Sequence, residues 1–254
     1  MRGFHPVARH RSREVLLYRQ GTMNVVTSAH VSGRPSSRAP TETPVITAIA
    51  LRVRDAAAVY QRALDRGAWG LPTHVEVMEL NIPAIHGAGA SRLYFVDRTQ
   101  DVSIWHVDFV PIPMVDNWPP AQSGLHWFGI VQHVGTDRMD DWTEFYRELF
   151  GFDERPDDER FGILPKGRIL RSPCRSFYLQ LIEPEPGIAG VEGGETLQRM
   201  GLGCSDVPAA VAALRARGVE FVAAADTTAA ARGALTRSWL GGVMFELVHD
   251  QKGA

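Results

Sequence analysis

The chain has 254 residues, a formal net charge of −2, and 44% hydrophobic against 22% charged residues. That length holds one large domain or two small ones. The balanced charge, without a basic stripe, argues against nucleic acid as a partner, and the longest apolar runs fall far short of the ~20 residues that span a membrane.

The first residues carry Arg2, Arg9, Arg11 and Arg13 but no apolar core, so they do not read as a secretory leader. Cys174 and Cys204 are the only cysteines and stand apart, which points to packing roles in a reducing compartment, the cytoplasm. After Gly3-Phe4 comes a strand-rich stretch, VLLYRQGTMNVVTS. Residues 31–44 are dense in Ser, Pro, Arg and Thr and read as a surface loop.

A loose repeat then sets the architecture. Ile46 to Ala68 reads ITAIALRVRDAAAVYQRALDRGA, and Leu197 to Val219 reads LQRMGLGCSDVPAAVAALRARGV. In each copy a strand ends at an acid, Asp55 or Asp206, which can cap the following helix. Each helix stops at Arg66-Gly67 or Arg217-Gly218, where glycine can take the left-handed conformation. Between the copies, Trp127 to Val134 reads as a strand. Met139, Trp142, Tyr146 and Leu149 then line one face of a helix that ends at Gly151-Phe152. The economical reading is four strand–helix–strands modules, the first without its opening strand and helix. Four prolines between Pro111 and Gly124 mark a joint between halves 1–115 and 116–254. In the second half, Glu185 to Glu195 reads as a Gly- and acid-rich loop, and Asp226 to Gly233 as a short helix or a loop.

The segments HRSREVLLYRQGTMNVV, YQRALDRGA, MELNIPAIHGAGASRLYFVDR and IWHVDFVP resemble the N-terminal half of bacterial 4-hydroxyphenylpyruvate dioxygenases. DRMDDWTEFYRELFGF, SPCRSFYLQLIEP, ALRARGVEF and GGVMFELVHD are similar to the C-terminal half. The dioxygenase-like half of bacterial 3-dehydroshikimate dehydratases shares several of these segments. The resemblance implies the vicinal oxygen chelate superfamily, hence an α+β fold of tandem βαβββ modules. It also implies an ancestral conversion of an aromatic 2-oxo acid to homogentisate.

It further implies Fe(II) in the second half, held by two histidines and one glutamate with positions left open for a 2-oxo acid and dioxygen. Carried over position by position, the glutamate is Glu246. The first histidine falls on Gly129 and the second on Arg199, directly after Gln198. Glycine offers no side-chain donor, and a protonated guanidinium has no lone pair for a metal. A cation beside Fe(II) would also repel it. The expectation is a degenerate site without standard iron chemistry. If the three positions converge, histidines at 129 and 199 should rebuild a metal site.

Arg199 then has three readings: a buried pair with Glu246, a fork for the carboxylate of a small ligand, or a surface residue. Gln180 is a second ligand-binding candidate by resemblance, and Ile182 stands where the family carries a substrate-facing asparagine. His126, His133 and His249 read as strand-end or surface residues. Asp140-Asp141 and Asp157-Asp158 read as solvated charges, and Trp142, Phe145, Tyr146 and Phe150 as helix core. No dinucleotide fingerprint, phosphate-binding loop, nucleophile elbow or CxxC motif occurs. The family's shielding C-terminal helix has no counterpart before Ala254, so an open pocket is expected. Bare strands in the first half lead to the expectation of a homo-oligomer, and a small aromatic or carboxylate molecule is the expected ligand.

Overall fold

The computed structural model describes residues 3–28, 43–72, 80–89, 91–97, 103–156, 167–183, 194–223, 227–238 and 242–250. The first half opens with three antiparallel strands, β1 (His5–His10), β2 (Val15–Gln20) and β3 (Met23–Ser28). It continues through β4 (Ala48–Arg52), α1 (Ala56–Asp65), β5 (Ala84–His86) and β6 (Arg92–Val96). A short helix α2 (Ile104–Val107) and β7 (Phe109–Pro111) close it. The second half runs β8 (His126–His133), α3 (Met139–Phe150), β9 (Asp153–Glu154), β10 (Arg168–Arg171) and β11 (Tyr178–Ile182). Then come β12 (Thr196–Cys204), α4 (Val207–Ala216), α5 (Thr227–Arg232), β13 (Gly233–Leu235) and β14 (Met244–His249).

The helix boundaries follow from the capping chemistry. Asp55 accepts from the Ala58 N–H at 2.8 Å, and Asp206 accepts from the Ala209 N–H at 2.9 Å. Gly67 and Gly218 sit just past α1 and α4 with φ of +87° and +75°, values that cost glycine little. On α3, Tyr146 and Leu149 are buried, while Asp140 and Asp141 lie in the exposed first turn. Segment 227–232, left open in the sequence, is a helix. The loops assigned to 31–44 and 185–195, and the pair Asp157-Asp158, lie wholly or mostly outside the described residues.

The second half forms one seven-stranded sheet in the order β13-β14-β12-β8-β11-β10-β9. The first half has a four-stranded sheet, β3-β2-β1-β7, and a three-stranded one, β4-β6-β5. This is the α+β architecture of paired βαβββ modules. Among the described residues the first module has no opening strand and helix. The repeat is physical as well as textual, because Ile46 and Leu197, the first residues of the two copies, form an antiparallel bridge.

Two of the cores draw on residues from both sides of 115. One packs Ile85, Leu93 and Phe95 with Tyr146, Leu149, Leu179 and Leu181. The other packs Phe4 and Met23 with Leu202, Val207, Leu214 and Leu247. Glu195 ties the halves together by accepting from the Gly89 N–H at 3.0 Å, the Gly135 N–H at 3.3 Å and Trp142 Nε1 at 2.5 Å. Nothing in its acid-rich sequence context signalled this role.

Candidate functional site

The three carried-over positions sit on neighbouring strands in the middle of the seven-stranded sheet. Gly201 on β12 is opposite Gly129 on β8 and opposite Glu246 on β14, so one row crosses all three strands. Arg199 lies two residues before Gly201 on the same strand. Successive residues of a strand alternate faces, so Arg199 and Gly201 share one. The Arg199 Nε stands 3.9 Å from Glu246 Oε2, and the two residues are only 5% and 4% exposed.

That distance makes an ion pair without a direct hydrogen bond. Arg199 Nε is buried without a hydrogen-bond partner among the described residues. Burial pulls the Arg199 pKa down, and Glu246 pulls it back up. Burial also lowers the pKa of His133. The positive charge of Arg199 adds to that shift, and a hydrogen bond that the His133 ring donates to the Gln198 side chain opposes it.

Gly129, Gln180, Gly201 and Glu246 line one cavity of about 30 Å³, walled by Phe128, Ile169 and Tyr178 among others. The Phe128 and Tyr178 rings stack at 4.7 Å. The space is that of roughly one water molecule, whereas sites for small organic ligands run to about 300–1,000 Å³. Position 129 has no room for a side chain. A Cβ built there would come within 2.2 Å of the Tyr178 carbonyl oxygen. The β8 and β12 ladder also shifts register between Gly201 and Leu202. β8 and β11 are neighbours in one parallel ladder that pairs Gly129 with Tyr178.

The residues that converge here do not fit Fe(II). They offer one carboxylate, a glycine and a buried cation, where the family chemistry asks for two neutral imidazoles and a carboxylate. Among the described residues, no three His, Cys, Asp or Glu side chains gather in a metal-binding group. The nearby histidines have other partners or places. His126 reaches across to Asp250, Nε2 to Oδ2 at 3.0 Å, while its Nδ1 faces the Gly124 carbonyl at 3.2 Å. His133 pairs with Ile182 on β11 and Thr196 on β12, and His249 is exposed. Gly201 is the residue that sequence reasoning missed. Its signal was its place two residues after Arg199, on the same strand face.

Fold and strand layout together define a vicinal-oxygen-chelate protein. The family model for the N-terminal part of hydroxyphenylpyruvate dioxygenase matches residues 1–110. The model for the glyoxalase/bleomycin resistance protein/dioxygenase superfamily matches residues 124–247. Hemolysin VllY of Vibrio vulnificus is 34% identical over 235 residues, 89% of this chain and 66% of its own length. A 4-hydroxyphenylpyruvate dioxygenase of Pseudomonas aeruginosa is 33% identical over 239 residues, with the same 89% and 66% coverage. A 3-dehydroshikimate dehydratase of Pseudomonas aeruginosa is 31% identical over 234 residues, 87% of this chain but 36% of its own. Among solved structures, a mutant of 4-hydroxymandelate synthase from Streptomyces coelicolor superposes with a TM-score of 0.75 at 17% identity. That superposition covers 98% of this chain and 86% of the synthase. The chain belongs to the 4-hydroxyphenylpyruvate dioxygenase family, within the glyoxalase/dioxygenase superfamily. It spans 66% of the length of the VllY and dioxygenase relatives. Among the described residues, no helix is long and apolar enough to cross a membrane.

Proposed function

We propose that this is a 4-hydroxyphenylpyruvate dioxygenase-like protein that carries out no iron-dependent oxygenation. In this reading the centre of its C-terminal sheet is a metal-free structural core. One observation carries the proposal: a buried arginine, not an imidazole, approaches the single remaining carboxylate, Glu246. The test is metal analysis of the purified full chain after anaerobic Fe(II) loading, with an assay for homogentisate from 4-hydroxyphenylpyruvate. The expected result is sub-stoichiometric iron and no homogentisate. Near-stoichiometric iron with turnover would overturn the proposal.

A second reading, a binder or non-iron enzyme for a small carboxylate, is favoured by the unpartnered Arg199 Nε beside a cavity that Gln180 lines. It requires the cavity walls to move, since about 30 Å³ admits no aromatic acid. A carboxylate that raises the melting temperature in a concentration-dependent way supports this reading. Self-association of the chain is also a proposal, motivated by the exposed Trp69, Met114 and Trp118. Sedimentation of the full chain decides it.

A further inference from the structure

Arg9, Arg11 and Arg13 take no part in the central row of the second half. They line a groove of about 870 Å³ on the four-stranded sheet of the first half. That volume lies in the range of small-molecule sites, about 300–1,000 Å³, whereas the central cavity holds about 30 Å³.

The sheet register sets the floor of the groove. Val110 on β7, Arg9 on β1, Leu16 on β2 and Thr27 on β3 stand in one row across all four strands. Arg9 is exposed, and its two cross-strand neighbours, Val110 and Leu16, are apolar. Leu16 is itself 37% exposed. An acid directly opposite on a neighbouring strand would neutralise an arginine here, and this row has none.

The charge is local. The chain as a whole has a net charge of −2, yet the groove gathers three arginines against one acid, Glu14. Arg13 and Glu14 already have interactions of their own. Arg11 donates through Nε to the Val107 carbonyl and through Nη2 to the His106 carbonyl. Those bonds hold the side chain in place without cancelling its charge. The buried Asp108 carboxylate accepts from the Leu80 N–H at 3.0 Å. Among the described residues, neither Arg9 nor Arg11 has a carboxylate partner.

We propose that this groove binds a small organic anion. Its carboxylate or phosphate head lies on the Arg9 and Arg11 guanidinia, and its apolar body lies over Leu16 and Val110. A guanidinium presents paired N–H donors that match either oxyanion, and the apolar neighbours add affinity through the area removed from water. The site is separate from the Arg199–Glu246 pair and does not depend on whether Arg199 binds anything.

The test is isothermal titration calorimetry of the full chain at low salt with benzoate, phenyl phosphate, inorganic phosphate and benzyl alcohol. The expected result is a dissociation constant of about 1 mM or tighter for benzoate or phenyl phosphate, weakened by added salt because exposed charges are screened. The stronger of the two tells whether a carboxylate or a phosphate is read. Inorganic phosphate should bind about tenfold more weakly than phenyl phosphate, for want of an apolar body, and benzyl alcohol should give no binding heat. Arg9→Gln should weaken the aromatic anion about tenfold. Leu16→Glu puts a carboxylate directly across from Arg9 and should abolish binding. Both positions are exposed, so far-UV circular dichroism should stay unchanged. Three outcomes overturn the proposal. One is no binding of either aromatic anion. Another is inorganic phosphate binding as tightly as phenyl phosphate, which marks an adventitious ion only. The last is binding that both variants leave unchanged, which places the anion elsewhere, such as beside Arg199.

Discussion

Replacing Glu246 by alanine is expected to destabilise the fold by on the order of 3–5 kcal/mol, because it strands a buried guanidinium without its counter-charge. Arg199 and Glu246 are almost fully buried, and Arg199 Nε has no hydrogen bond to fall back on. Ile130, Val131, Ile169 and Val248, which line the cavity with Glu246, carry no charge that could replace it. Replacing both charges together, Arg199→Met with Glu246→Leu, should behave in the opposite way. Two desolvated ions give place to apolar contacts, a change that ranges from neutral to about 1–4 kcal/mol stabilising. Urea denaturation of the wild type, the two single variants and the double variant checks both statements. If Glu246→Ala and the double variant cost the same, the pair is not coupled and the structural reading of Arg199 fails.

Much of the fold was legible because it is written in local chemistry. Asp55 and Asp206 announce helix starts by supplying an acceptor to N–H groups that otherwise lack one, and Gly67 and Gly218 announce the ends. The same spacing in both copies fixed the module repeat, and with it the strands that carry positions 199 and 246. The identity of Arg199 argued against ordinary iron ligation before any geometry was known. What the sequence did not carry is how little room the neighbouring strand leaves at position 129. The contact between Gly129 and Tyr178 depends on the backbone path of two segments about fifty residues apart. No residue type in Tyr178–Ile182 signals it. Nor does composition show that Glu195, in a loop-like stretch, hydrogen-bonds groups from both halves.

The lack of room for a Cβ at Gly129 changes the expected outcome of rebuilding the metal centre. On alignment alone, Gly129→His with Arg199→His restores two imidazoles and a carboxylate. On this fold, any Cβ at position 129 runs into the Tyr178 backbone at 2.2 Å, a contact that no rotamer change can relieve. Either β8 or β11 must move, and parallel pairing ties them from Gly129↔Tyr178 to His133↔Ile182. The double variant is therefore expected to bind no Co(II), read as the absence of visible d–d bands on titration. Gly129→Ala alone is expected to cost about 1–3 kcal/mol or more through overpacking, despite adding a single methyl group. Arg199→His alone removes the buried cation and should leave β8 and β11 where they are. Loss of stability at position 129 without gain of metal affinity places the barrier to iron in the main chain, not only in two substituted ligands. A tight Co(II) complex in the double variant, with wild-type stability for Gly129→Ala, would show instead that the strands part readily. The barrel would then still be able to take up a metal once the two side chains are supplied.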